Sequence, residues 1–210
     1  MKNSNKGFTL AEVLITLVII GVVAALTIPA MMANHRKEET ASKLKKFFTT
    51  MTQAKNLWAQ EVGMNQNDIY FPDDAVNDAD KTLEFYNTYL GKHISSVKTE
   101  KLDSKRIRSY LNDGTCFISY IGSNRYMFYF YFTDASKCTR EIYDGKTSFL
   151  FQMNNVGFVA SHNPKINYTR DELLNLCANP ESGNPNSRHM CTRLIQVDGW
   201  RIKDDYPVRI

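Results

Sequence analysis

The 210-residue chain is poor in the residue patterns that carry catalysis. It has four histidines, His35, His93, His162 and His189, and none stands at metal-ligand spacing from another. Neither H-x-x-x-H nor H-E-x-x-H occurs, which removes sequence support for a helical zinc site. G-x-S-x-G, a P-loop and G-x-G-x-x-G are also absent, so nothing points to a nucleophile elbow, a nucleotide or a dinucleotide cofactor. An excess of charge of one sign is missing as well: 26 basic residues face 22 acidic ones, for a net charge of +4. That balance points neither to nucleic acid nor to a polybasic membrane surface. There is no low-complexity tract and no repeat.

Cysteine is scarce, with four residues and no C-x-x-C. Cys116, Cys138, Cys177 and Cys191 all lie in the second half of the chain, beyond a long apolar segment. An even count on the far side of such a segment favours disulfides in an oxidising compartment. Three pairings are possible, and sequence proximity favours Cys177 with Cys191 and Cys116 with Cys138.

Against these absences stands one long apolar run. Residues 13–33 carry no charge. As a helix they span about 31 Å, close to a hydrocarbon core of about 30 Å. Glu12 stands at the mouth of this run. A carboxylate there is costly, at roughly 2.5–3.5 kcal/mol near a membrane-helix centre, so it calls for a function and a partner. A secretory signal would have a shorter apolar region and a small-residue cleavage site. A plain signal anchor explains the length but gives Glu12 no role. Lys2 and Lys6 place the N-terminus in the cytoplasm by the positive-inside rule, although His35, Arg36 and Lys37 on the far side weaken it.

The residues Lys6-Gly7-Phe8-Thr9-Leu10-Ala11-Glu12-Val13-Leu14-Ile15 resemble the prepilin cleavage and methylation motif of type IV pilins and type II secretion pseudopilins. The resemblance implies that a membrane prepilin peptidase cuts between Gly7 and Phe8 on the cytoplasmic side and methylates the new amine of Phe8. Glycine suits the cut because its backbone lies in a protease cleft without side-chain clash. Loss of Lys2 and Lys6 leaves 24 basic against 22 acidic residues. In the family, the glutamate matching Glu12 pairs with the N-terminal ammonium of a neighbouring subunit. A proline matching Pro29 marks a bend in the helix, where the ring removes a hydrogen bond.

Beyond residue 33 the pattern becomes amphipathic. Ala41, Leu44, Phe48, Met51, Leu57, Trp58 and Val62 recur at spacings near three and four, and Gly63 is a natural C-cap. One helix over residues 8–62 follows, with an apolar stripe for a sheet to receive. Residues 64–81 read as a polar loop whose Asp73, Asp74, Asn77, Asp78 and Asp80 lack EF-hand spacing. A short helix is expected over 82–92, ended by Gly91. Hairpins follow at 107–111 with 115–121 and at 148–153 with 156–161, around an aromatic central strand at 126–133. A capping box, Thr169 with Glu172, opens a helix over 169–178, and a last helix is expected over 188–196.

The expected fold class is therefore α+β: a long N-terminal helix, transmembrane then amphipathic, on an antiparallel sheet of four or five strands, as in pilins. The expected divisions are a cleaved leader at 1–7, a transmembrane half of the helix at 8–33, an amphipathic half at 34–63 and a globular extracytoplasmic part at 64–210. No enzyme activity, metal or cofactor is expected. The resemblance implies as partners prepilin peptidase, other pilin or pseudopilin subunits, an inner-membrane assembly platform and the lipid bilayer. It implies a single-pass inner-membrane protein that joins a pilus or pseudopilus. The other function class is a membrane-tethered binding module that does not polymerise; Glu12 separates the two, because only assembly requires it.

Overall fold

The structure, a computed structural model, describes residues 7–64, 71–160, 167–180 and 183–210. Its dominant element is α1, Leu10–Glu61, an unbroken helix of 52 residues that passes through Pro29. At 1.5 Å per residue it is about 78 Å long. Thr9 caps its N-terminus. At its C-terminal end Gly63 takes φ +65°, and the Met64 N–H donates to the Ala59 carbonyl at 3.1 Å. This left-handed turn is the one that glycine adopts without a Cβ penalty.

Six strands form one sheet in sequence order: β1 (Ser96–Lys101), β2 (Ile107–Leu111), β3 (Cys116–Ile121), β4 (Met127–Phe132), β5 (Ser148–Met153) and β6 (Phe158–Val159). Every pair is antiparallel. Phe117 lies opposite Tyr131, and Tyr131 opposite Phe149. One sheet face receives the second half of α1. Leu44, Phe47, Met51 and Trp58 meet Phe117, Ile121, Tyr129, Phe149 and Phe151 in the main core. Phe47 is its hub: its ring stacks on Tyr131 at 4.2 Å and meets Phe151 edge-on at 5.3 Å. Such ring pairs contribute about 0.5–1.5 kcal/mol beyond area burial.

The opposite face is buried too. Ile118, Phe128, Phe130, Phe132 and Leu150 form a second cluster. The chain after β4 covers them, and Cys138 there is bonded to Cys116 of β3. Burial on both faces explains why β4 reads as six consecutive apolar or aromatic residues rather than as an alternation.

Several expectations change. Phe47, not Phe48, is the buried aromatic of the stripe, and Leu57 is 43% exposed while its neighbour Trp58 enters the core. Phe48 lies on the flank, where it meets Trp200. The expected loop at 64–81 contains a 3-10 turn at Asp73–Ala75, and α2 (Ala79–Phe85) begins inside it. Residues 65–70 of that loop lie outside the described residues. The helical path beyond α2 does not stop at Gly91; it continues as a 3-10 turn over Gly91–His93. A Cβ at Gly91 would lie 3.1 Å from the Tyr86 ring, so close packing is what favours glycine there. Strand β1 adds a sixth member to the sheet. It has no apolar pattern to show, because every residue but Val97 is polar and none is buried. Strand β6 is only two residues long, Phe158–Val159, against the expected 156–161; of that expected strand only residue 161 lies outside the described residues.

The C-terminal part packs two helices, α3 (Arg170–Ala178) and α4 (Cys191–Val197). The last helix starts three residues later than expected, at Cys191. Leu173, Cys177, Met190, Cys191 and Leu194 form a third cluster. Arg170 clamps it by donating to both carboxylate oxygens of Asp198 (2.7 and 3.0 Å) and of Asp205 (2.8 Å each). The chain then turns through Gly199 and Trp200, both at positive φ, and descends along α1. Trp200 packs on Phe48, and Asp204 accepts from Lys37 at 2.9 Å.

Candidate processing and assembly site

The site is the N-terminal end of α1. Gly7 and Phe8 precede the helix and are exposed, Phe8 at 89%. A Cβ built on Gly7 meets nothing within 4 Å. The fold of the chain therefore does not demand glycine at that position, and the demand has to come from something that handles the segment. Gly21, inside the apolar half, is equally unconstrained.

Thr9 and Glu12 form a capping box that sequence inspection passed over. The Glu12 N–H donates to Thr9 Oγ1 at 3.3 Å, while Thr9 N and Oγ1 both donate to Glu12 Oε2, at 2.8 and 2.7 Å. The signal was legible as T-x-x-E before an apolar run. Two of the helix's orphan donors are thus satisfied, and the positive end of the helix dipole favours the carboxylate. All of this uses Oε2. Oε1 makes no hydrogen bond among the described residues, so the anion keeps one oxygen for a further donor.

Beyond the cap, the apolar half of α1 has no cover. Leu14, Ile15, Leu17, Val18, Ile20, Leu26 and Met31 are all more than half exposed. By length and composition this part of the helix can cross a membrane. Pro29 sits within it, and α1 continues as helix on both sides.

The structure pairs Cys116 with Cys138 and Cys177 with Cys191, with Cα separations of 6.2 and 4.7 Å. Neither bond touches the N-terminal site. The first ties the covering segment onto the second face of the sheet, and the second holds α3 to α4. Closing loops of this size stabilises by about 3 kcal/mol each in a chain-entropy model.

Among the described residues, no group of three metal-ligating side chains converges. The acidic residues at 73–80 are engaged elsewhere: Asp73 pairs with Arg125, Asp80 with Lys101, and Asp78 caps α2. His35 is exposed, His93 lies 3.2 Å from Glu61, and His162 lies outside the described residues.

Residues 30–210 match the model of a family described as "Family of unknown function (DUF6613)". The chain belongs to this family. Residues 2–28 of this DUF6613 protein match the "Prokaryotic N-terminal methylation motif". Its N-terminus is therefore type IV pilin- or pseudopilin-like, and the motif implies processing by prepilin peptidase. Motif, apolar helix and disulfides together describe a prepilin-like, membrane-anchored chain with an extracytoplasmic C-terminal domain whose role is unknown. No curated protein and no solved structure matches the chain.

Proposed function

We propose that this chain is a structural subunit of a type IV pilus or type II secretion pseudopilus. Prepilin peptidase hydrolyses the Gly7–Phe8 amide, leaving a carboxylate on Gly7 and an amine on Phe8 that is then methylated. Residues 8–33 hold the subunit in the inner membrane, residues 34–63 carry the globular part, and residues 64–210 face away from the cytoplasm. An assembly platform in that membrane extracts the subunit into a filament of pilin or pseudopilin subunits.

The observation that carries this reading is the state of Glu12. Its carboxylate is anchored to Thr9 through Oε2, with Oε1 unengaged among the described residues, on a helix whose apolar flank is bare. The new ammonium of Phe8 in an adjacent copy supplies the missing donor. Buried separately, the two charges would each cost several kcal/mol; paired, they satisfy one another. The bare apolar flanks of neighbouring helices then cover each other in the filament core.

Mass spectrometry of the mature N-terminus tests the first step. An N-methylated Phe8 is expected, and an intact Met1 or a cut after Ala33 overturns the reading.

A further inference from the structure

We propose that the outer face of α1 between residues 47 and 60 is a contact surface for the uncharged run, residues 13–33, of a second copy of this chain. Charge changes abruptly along α1. Residues 34–46 carry seven charged side chains in thirteen positions, whereas residues 47–60 carry one in fourteen, Lys55, and Lys55 is 2% exposed. The helix surface therefore bears no charge along this stretch. Charge returns at Glu61, which pairs with Lys92. Thr49, Gln53, Leu57 and Gln60 are the exposed residues in between. Spacings of four, four and three place them within an arc of about 80°, on a face about 17 Å long. A solvated protein surface interleaves charges of both signs. Depletion of charge is instead the mark of the centre of a protein contact.

Two observations select the occupant. The first is hydrogen bonding. Residues 13–33 include two hydroxyl side chains, Thr16 and Thr27. Each donates back into its own helix, to the carbonyls of Val13 and Val23, at 2.9 Å in both cases. Beside the outer face, Thr52 does the same to the Phe48 carbonyl at 2.7 Å. These hydroxyls are already satisfied, so packing the two surfaces together strands none of them. The long side chains of Gln53 and Gln60 reach the rim of such a contact, where their amides stay in water. The second observation is that the run is bare. A filament extracted from the bilayer has no lipid to cover it, so protein surface must, and a charge buried there without a partner would be costly. The centre of the run, residue 23, and the centre of the outer face, near residue 54, are 31 positions apart, or ~46 Å. The partner is therefore a parallel copy displaced by about that distance along the filament.

The inference rests on the assembly proposed above. Leu57, 43% exposed, is replaced by p-benzoylphenylalanine in the full-length, processed chain, and sheared filaments are irradiated and mapped by mass spectrometry. A covalent link to residues 13–33 of a second copy is expected, and it should be absent from unassembled subunits in the membrane. Separately, Gln53→Lys and Leu57→Lys should each lower incorporation into filaments at least fivefold, with the thermal midpoint of the globular part unchanged. Val97→Lys, at a residue 70% exposed on β1, should incorporate normally. Links only to residues 64–210 of another copy, or only to a different protein, overturn the proposal. So does normal incorporation of both lysine variants, or an equal loss in Val97→Lys. Failure of the unsubstituted chain to enter any filament overturns the assembly reading itself. Filaments that form without the expected link overturn this face alone.

Discussion

The two halves of α1 are one continuous helix in opposite surroundings. From Leu10 to about residue 33 the helix is apolar on all sides and exposed on all sides; from about residue 40 it has one apolar stripe, and that stripe is buried. A helix with a stripe is completed by its own chain, whereas a helix without one needs another solvent or other copies of itself. The contrast separates folding from assembly. The distal half spends its hydrophobic surface on the sheet. The proximal half keeps all of it exposed, for the membrane and, on the proposed function, for neighbouring subunits.

Substitutions in the two halves should therefore fail in different assays. The largest effect is expected for Glu12→Val. Incorporation into sheared filaments should fall at least tenfold while membrane insertion, cleavage and the thermal midpoint of the globular part stay unchanged. Normal incorporation would remove the charge-pairing idea and blur the contrast between the halves. Phe47→Ala, in the distal half, should do the reverse in kind: cleavage persists, and the globular part loses about 3–5 kcal/mol by denaturant titration, the usual cost of truncating a buried aromatic. A loss below 1 kcal/mol would mean that the distal stripe is not what holds the sheet to α1.

The smallest effect is expected from pH and sharpens the boundary at the C-terminal segment. Burial opposes ionisation of Asp198, but hydrogen bonds from Arg170 and Lys203 outweigh it and hold the carboxyl below its usual range. A carboxylate depressed in the folded state contributes stability above its unfolded pKa, near 4, and that contribution is lost as pH falls through the folded value. The melting midpoint should therefore drop as pH is lowered below about 4, and the drop should shrink in Asp198→Asn. An identical pH profile in that variant would show that the clamp contributes nothing.

Legibility followed the physics of each region. The helix, the aromatic strand β4, the bounds of β5 and the capping box at Thr169 were all readable, because each is encoded within a few neighbouring residues. The second face of the sheet was not. Its cover comes from the segment after β4, 22 residues from Cys116 to Cys138, and no local periodicity reports which loop folds over which face. Strand β1 escaped for a related reason: an edge strand with no buried residue has no hydrophobic pattern to show. Lys55 is charged and gives no local sign of burial, yet it is buried, and burial holds its ammonium below the usual lysine range. At the candidate site, Gly7, Phe8 and Glu12 are named by the motif, whereas the bonds that tie Thr9 to Glu12 are given by the structure, although T-x-x-E is a local signal for them.

What the sequence determined by itself is therefore the N-terminal program. An uncharged run of 21 residues, a glycine that the fold does not need and a carboxylate at the boundary are statements about solvent and charge, which depend on composition and order alone. What only the tertiary structure decided is which aromatic anchors the distal helix, and that both faces of the sheet are closed. Those depend on which distant residues meet, and the free energy of such contacts is set by geometry that no local stretch of the chain contains.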